Sequence, residues 1–325
     1  MDISLCIATM NRTKELKLAL IEINKVLYLF RDNDIDSKLI IVDSSIDIST
    51  KKLLEEWKNK NNFNVDYNYL EPSGTDAAYK LAINKATTDY IWLLSDDDLI
   101  SSEELKACLK QIINSMKENK NILINMSLYS KDLNELYIPK FIESDKNYMY
   151  IKGINNLISV TGKIASHISI GIVKKSEWLK YEKNFPSFKD LRIAGIIIQC
   201  LSKGCYLIKD PLIKLRSGNQ SWTERSYKIW YITWPCLLVY LNISRKILKA
   251  NCEMDIIRFT RNIIHYKSIN SDISAEPALD QFKSSLHKII LFIIRKMSKK
   301  IIYKISIILS AFSRYPSITL SQLVE

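Results

Sequence analysis

Three consecutive carboxylates, Asp96, Asp97 and Asp98, stand directly after the apolar run Tyr90-Ile-Trp-Leu-Leu-Ser95, and few folds can hold such a group. Crowded, desolvated carboxylates repel one another, so water, a cation or basic side chains must compensate them. A divalent metal is one compensator. A solvated acidic turn leading into a helix is the plainer alternative, because Ser101, Ser102, Glu103 and Glu104 read as a capped helix start.

The chain before this point alternates short apolar runs with helical periods, the pattern of a mostly parallel sheet covered by helices. Ile3 to Thr9 reads as a first strand, and Asn11 or Thr13 as the cap of a helix with Leu16, Leu20, Ile23, Leu27 and Phe30 on its core face. Lys38 to Val42 is a second strand ending on Asp43. Ser49 or Thr50 then caps a helix carrying Leu53, Leu54 and Trp57. Val65 to Leu70 is a third strand, Asp76 opens a helix through Ala77, Leu81 and Ala82, and Tyr90 to Leu94 is the fourth strand. Ligands of such sheets collect beyond the carboxyl ends of the strands. Thr9-Met-Asn-Arg12, Asp43-Ser-Ser45, Ser73-Gly-Thr-Asp76 and Ser95-Asp-Asp-Asp98 all fall there.

In this order and spacing, Cys6-Ile-Ala-Thr-Met-Asn-Arg12, Ile40-Ile-Val-Asp43, Ser73-Gly-Thr-Asp76 and Tyr90 to Asp98 resemble the nucleotide-sugar-binding half of family 2 glycosyltransferases of the GT-A fold. Within that family the chain is similar to bacterial enzymes that add a sugar to lipopolysaccharide O-antigen or capsule repeat units, abequosyltransferase-like proteins among them. The resemblance covers residues 1–100 well and 160–235 loosely. Three positions depart from the family pattern. Ala8 stands where proline is usual, Ser44 and Ser45 stand where a second Asp and a Gly are usual, and the first acid of the Asp-x-Asp signature falls on Ser95 or on Asp96.

The resemblance implies a Rossmann-like α/β domain with a mixed, mostly parallel sheet, and a metal-dependent, inverting transfer of a sugar from a nucleoside diphosphate. A Mg²⁺ or Mn²⁺ held by one or two carboxylates and several waters bridges phosphates and stabilises a leaving diphosphate. Asp97 and Asp98 are the expected metal ligands, with Asp96 or Ser95 nearer the ribose. Asp43 is expected to accept a hydrogen bond from a base N–H, and Asp76 to do the same or to act as an ordinary capping residue. Thr9, Asn11 and Arg12 complete the expected donor site. The family's proton acceptor, an Asp or Glu at the start of a helix about a hundred residues after the metal motif, falls on Asp190, with Glu182 in reserve; an Asp that only complements the helix dipole is the alternative. That helix is expected to stop at Gly204. In the polar loop from Arg216 to Arg225, Asn219, Trp222 and Arg225 are expected to hold the acceptor, since an indole beside amide and charged groups suits a sugar ring; packing of Trp222 onto the core is the other reading.

Other chemistries lack their signatures. His167, His265 and His287 have no zinc-ligand spacing, and His167 reads as an interior or edge residue. The six cysteines form no Cys-x-x-Cys pair and suit reduced thiols of a cytosolic protein. No Gly-x-Gly-x-x-Gly follows the first strand. A sugar nucleotidyltransferase would place glycines in the loop 9–12, which has none. The remaining alternative is a non-catalytic, nucleotide-binding scaffold at a membrane.

The net charge of +12 is concentrated late: residues 240–325 carry 14 Lys/Arg against 6 Asp/Glu, and Phe282 to Arg314 carries eight basic residues and no acid. Apolar pairs recur beside these basic residues, as in a helix lying on an anionic membrane or an amphipathic helix packed on the domain. The longest uncharged stretch, Ile229 to Ser244, contains Pro235 and falls short of a bilayer span, and the N-terminus does not read as a signal peptide. The expected organisation is a donor-binding half over 1–100, an acceptor-binding half of the same domain over 101–235 with helix core positions Leu105, Leu109, Ile112 and Met116, and a basic, mainly helical region over 236–325. The expected location is the cytoplasm, peripheral at the inner face of the membrane, with a polyprenyl-diphosphate-linked glycan as acceptor and no nucleic-acid partner.

Overall fold

Strand β1 (Asp2–Thr9) buries Ile3, Leu5, Cys6 and Ile7 completely, as expected of a run apolar on both faces of a sheet covered on both sides. The structure is a computed structural model describing residues 1–61, 63, 65–145, 148–217, 225, 228–252, 260–261, 263–264, 267–268 and 285–311. β2 (Asp36–Asp43) and β4 (Tyr90–Ser95) flank β1 in parallel, and β3 (Val65–Tyr69) lies parallel on the far side of β2. Helices α1 (Thr13–Arg31), α2 (Ser49–Asn61) and α3 (Thr75–Lys85) link them. On α1, Leu16, Leu20, Ile23, Leu27 and Phe30 are all buried, the stripe set by a 3.6-residue period.

The cap of α1 differs from the sequence expectation. Neither Asn11 nor Thr13 caps α1: Asn11 turns the chain at φ 56°, a left-handed conformation Asn tolerates, and Arg12 occupies the N-cap position without a side-chain hydrogen bond. Ahead of α2, Asp47 Oδ1 accepts the Ser49 N–H at 2.8 Å.

The sheet continues with β5 (Leu99–Ile100), β6 (Asn121–Tyr129), β7 (Leu136–Ile138), β8 (Tyr148–Ile151), β9 (Gly171–Lys174) and β10 (Cys205–Arg216), in the order β3-β2-β1-β4-β9-β6-β10-β5, with β7 on β6 and β8 on β10. Here the pairing is mixed. β9 runs antiparallel between β4 and β6, whereas β10 lies parallel to β6. Helices α4 (Ser102–Lys117), α5 (Ile154–Thr161), α6 (Lys175–Glu182) and α7 (Arg192–Ser202) complete this unit. α4 buries Leu105, Leu109, Ile112 and Met116. α7 ends two residues before Gly204, which takes φ 141°.

Met1–Ser187 with Arg192–Arg216 form one unit, and Phe188–Leu191 with Ser217–Glu325 the other. Among its described residues the second contains a π-helical turn (Ile229–Thr233), α8 (Trp234–Tyr240), α9 (Arg245–Cys252), α10 (Ser285–Lys296) and α11 (Lys299–Ala311). No helix among the described residues is long and apolar enough to cross a membrane.

Candidate active site

The chain moves from β1 outward through β2 to β3, then returns to place β4 on the other side of β1. This reversal opens a crevice at the carboxyl ends of β1 and β4, where parallel sheets bind ligands. Thr9 and Asp96 meet there, the threonine hydroxyl donating to Asp96 Oδ2 at 2.8 Å.

Arg12 reaches back over the same point. Its Nη1 lies 3.2 Å from Asp96 Oδ1 and its Nη2 2.6 Å from Asp97 Oδ2. Burial works against the guanidinium charge, but Asp96 and Asp97 outweigh it and hold the pKa above the usual value. The Ser95 hydroxyl donates to Asp97 Oδ1. Ser95, expected near a ribose, is therefore engaged with its own acidic loop.

Burial is the main force on the other two acids. It pushes Asp96 up to about 7, with Arg12 opposing and Asp97 adding, and Asp98 up to about 8, with Asp97 adding. Asp98 Oδ2 accepts the Ser169 hydroxyl at 2.9 Å. Ser169 is buried, its oxygen lies 3.3 Å from the Ser95 N–H it accepts, and its carbonyl accepts the Trp92 indole N–H at 3.0 Å. Behind the loop, Arg216 at the end of β10 donates Nε to the Asp97 carbonyl at 2.8 Å, while its buried Nη2 has no hydrogen-bond partner among the described residues.

Three carboxylates thus face two guanidiniums. The donor set fits a hard divalent cation: it is all oxygen, and the partly buried Asp98 leaves Oδ1 uncommitted among the described residues. No group of three or more His, Cys, Asp or Glu among those residues converges as a metal cage, and Mg²⁺ bound through one or two carboxylates, waters and substrate phosphates needs none.

Asp43 ends β2 on the same edge. It is buried, Oδ1 accepting the Ser45 N–H at 2.9 Å and Oδ2 the Tyr67 hydroxyl at 3.1 Å. Burial, with Asp43 beside it, pushes the Tyr67 hydroxyl up to about 12. A carboxylate offers about four lone-pair sites, so Asp43 can accept further bonds. Asn11 joins the neighbouring loops, its N–H donating to Ser45 Oγ at 2.8 Å and its Oδ1 accepting the Ile46 N–H at 3.1 Å. Asp76 sits in the first turn of α3, behind Gly74 at φ 88°.

His167 is half-buried at a turn, and burial lowers its pKa to about 4 against the pull of Asp97. None of the six cysteines forms a disulfide among the described residues. Glu182 Oε1 is held by Lys80 Nζ and Arg192 Nη2, each at 3.3 Å.

Asp190 belongs to the second unit, has φ 69°, and is ion-paired with Arg225. Asn219 and Trp222 lie outside the described residues. Ser169, Tyr67 and the paired role of Arg216 were absent from the sequence reading. Ser169 and Arg216 lie 71 and 119 residues from their acidic partners, and no local spacing signals such contacts.

A model of glycosyl transferase family 2 matches residues 4–174. Abequosyltransferase RfbV of Salmonella typhimurium is 24% identical over 238 residues, covering 69% of each chain. The fold is similar to that of residues 1–349 of S. aureus TarS, with a TM-score of 0.55 and 15% identity over 96% of this chain and 91% of that one. The TarS fragment in complex with UDP-GlcNAc matches with a TM-score of 0.54 and 14% identity, over 90% of this chain and 79% of that one.

Proposed function

Since the chain belongs to glycosyl transferase family 2, we propose that it moves a sugar, with inversion, from a nucleoside-diphosphate donor to a hydroxyl of a lipid-linked glycan in bacterial surface polysaccharide synthesis. It is a glycosyltransferase. The observation that carries the finer reading is the cluster of Asp96, Asp97 and Asp98 at the topological switch point, cross-braced by Arg12 and Arg216. The RfbV likeness supports the polysaccharide context, and UDP-GlcNAc bound to TarS supports the donor class.

In this reading Asp43 accepts the base N–H, and Thr9, Asn11, Arg12 and Asp76 shape the donor pocket. Arg12 and Ser95 fix Asp97, and Ser169 fixes Asp98, so both carboxylates are oriented before the donor arrives. A bound Mg²⁺ or Mn²⁺ would supply charge neutralisation for the departing diphosphate. The acceptor oxygen attacks the anomeric carbon as its bond to the diphosphate oxygen breaks, and the hydroxyl proton passes to Asp190. Arg225 orients that carboxylate. Glu182, engaged by Lys80 and Arg192, is the reserve candidate. Asn219, Trp222 and Arg225 would contact the acceptor.

The basic C-terminal region would bring the enzyme to the anionic inner face of the cytoplasmic membrane, where a polyprenyl-diphosphate acceptor lies. Titration calorimetry with UDP, GDP and CDP, with and without Mn²⁺, combined with a donor-hydrolysis assay, tests the reading. Metal-dependent diphosphate binding with slow hydrolysis is expected; no nucleotide binding under any of these conditions would overturn it.

A further inference from the structure

The second unit carries an apolar surface that its own core does not use. Tyr231, Ile232, Ile263, Ile264, Ile294 and Ile302 form a buried cluster, with Ile290, Met297 and Ile305 packed against it. Helices α10 and α11 therefore already have an inward stripe. A helix that buries one face in water normally presents polar residues elsewhere. These two do not. Ile289, Phe292 and Ile293 on α10, and Ile301 and Tyr303 on α11, are each at least 50% exposed, and Phe292 reaches 63%. On α10 they follow the i, i+3, i+4 spacing of a second stripe, roughly a third of a turn round the helix from Ile290 and Ile294.

Cations fringe this stripe. Arg295, Lys296, Lys299, Lys300 and Lys304 are exposed, and Lys296 Nζ sits 5.8 Å from the Phe292 ring centroid. The turn between the helices is pinned: Lys267 Nζ donates to the carbonyls of Ile294, Arg295 and Met297 at 2.7, 2.8 and 2.6 Å. Those carbonyls lie at the end of α10 and in the turn after it, where the Ile294 carbonyl also accepts the Met297 N–H at 3.2 Å, so the pin reinforces the turn from which α11 leaves.

We infer that this outward face of α10 and α11 is a preformed docking surface for an anionic lipid bilayer, with Phe292, Ile289 and Ile293 entering the acyl boundary and the lysines resting on phosphate headgroups. The helices, 12 and 13 residues long, lie on the bilayer; spanning it takes about 20 residues. A second copy of the chain is a poorer occupant, because Phe282 to Arg314 holds eight basic residues and no acid, and self-pairing would set lysine against lysine. Nucleic acid would leave the apolar stripe unused. The inference refines the membrane location proposed above and rests on that reading only for its biological purpose.

The full-length chain should be co-sedimented with phosphatidylcholine vesicles with and without phosphatidylglycerol, at low and high salt. Binding should be at least about tenfold tighter to the anionic vesicles and should weaken with salt. Phe292→Ser with Ile293→Ser should reduce it about tenfold or more, and Lys296→Glu or Lys300→Glu about fivefold each. All four side chains are exposed, so the melting temperature should hold. Equal binding to neutral vesicles, no binding, or full binding by the variants would overturn the inference, as would a dimer in solution that Phe292→Ser dissociates. UDP titration of the same samples separates the two readings: lost vesicle binding with intact UDP binding sinks the docking face alone, and the reverse sinks the transferase site alone.

Discussion

The two ends of the catalytic edge hold their carboxylates in opposite ways. Asp43, at the end of β2, is buried against neutral donors, a backbone N–H and a tyrosine hydroxyl. Asp96, Asp97 and Asp98, after β4, are set among two guanidiniums and two serine hydroxyls, and burial raises Asp96 and Asp98 far above the usual carboxylate range. Neutral hydrogen bonds fix geometry without changing net charge, which suits recognition. The charged end is left electrically unbalanced, which suits a site where a cation and a diphosphate exchange charge. In the proposed mechanism the first end reads the donor and the second end drives the chemistry.

If that division holds, the largest effect belongs to the charged end. Asp98→Ala, and separately Asp97→Ala, should lower kcat by about 100- to 1000-fold without unfolding the domain. Wild-type turnover in either variant would refute the assignment.

At the neutral end Asp43→Asn keeps an acceptor for the Ser45 N–H but turns one oxygen into a donor. The donor KM should rise about 10- to 50-fold, because a buried site that cannot pair its ligand's N–H loses a hydrogen bond and strands a polar group. kcat should stay within about twofold. A fall in kcat with KM unchanged would erase the distinction between the two ends.

A smaller effect separates them in the metal-free protein. An unfolded chain releases the Asp96 and Asp98 protons near pH 4, whereas the folded chain retains them to about 7 and 8. The unfolded state then binds fewer protons, and stability falls as pH rises through this window. Melting curves in chelator from pH 4 to 8 would show the slope, and Asp98→Asn should flatten it. A flat wild-type profile would mean that Arg12 and Arg216 already balance the cluster.

The parallel half of the sheet was legible because its central strands are mostly apolar runs and its helices have clean periods: β1 reads from Ile3 to Thr9 and α1 from Leu16 to Phe30. The other half was not. β9 is four residues long and antiparallel, and its place between β4 and β6 depends on non-local pairing with no period to betray it. β10 was visible only as Cys205 to Ile208, because Pro211 interrupts a central strand; register shifts on either side of Pro211 accommodate it. The strand therefore runs on to Arg216, which stands at a strand end beside Asp97 and not merely at the head of a loop. The acidic residues were readable as chemistry, but Ser169 and Tyr67, which aim them, are ordinary residues given a role by topology.

Tyr67→Phe is the smallest test and the sharpest. Burial and the adjacent Asp43 keep the Tyr67 hydroxyl protonated to about pH 12, so it serves as a donor throughout the working range. Removing it frees one lone pair of Asp43 without altering charge, and because Tyr67 is partly exposed, water can take the vacated place. The donor KM should rise only about threefold, with kcat unchanged. In Asp43→Asn the same substitution should add almost nothing, since its whole effect passes through the Asp43 carboxylate; a double-mutant cycle measures that coupling. If Tyr67→Phe instead costs as much as Asp43→Asn and the two add, Asp43 serves to tie β2 to β3, and recognition of the base must be sought elsewhere on the edge.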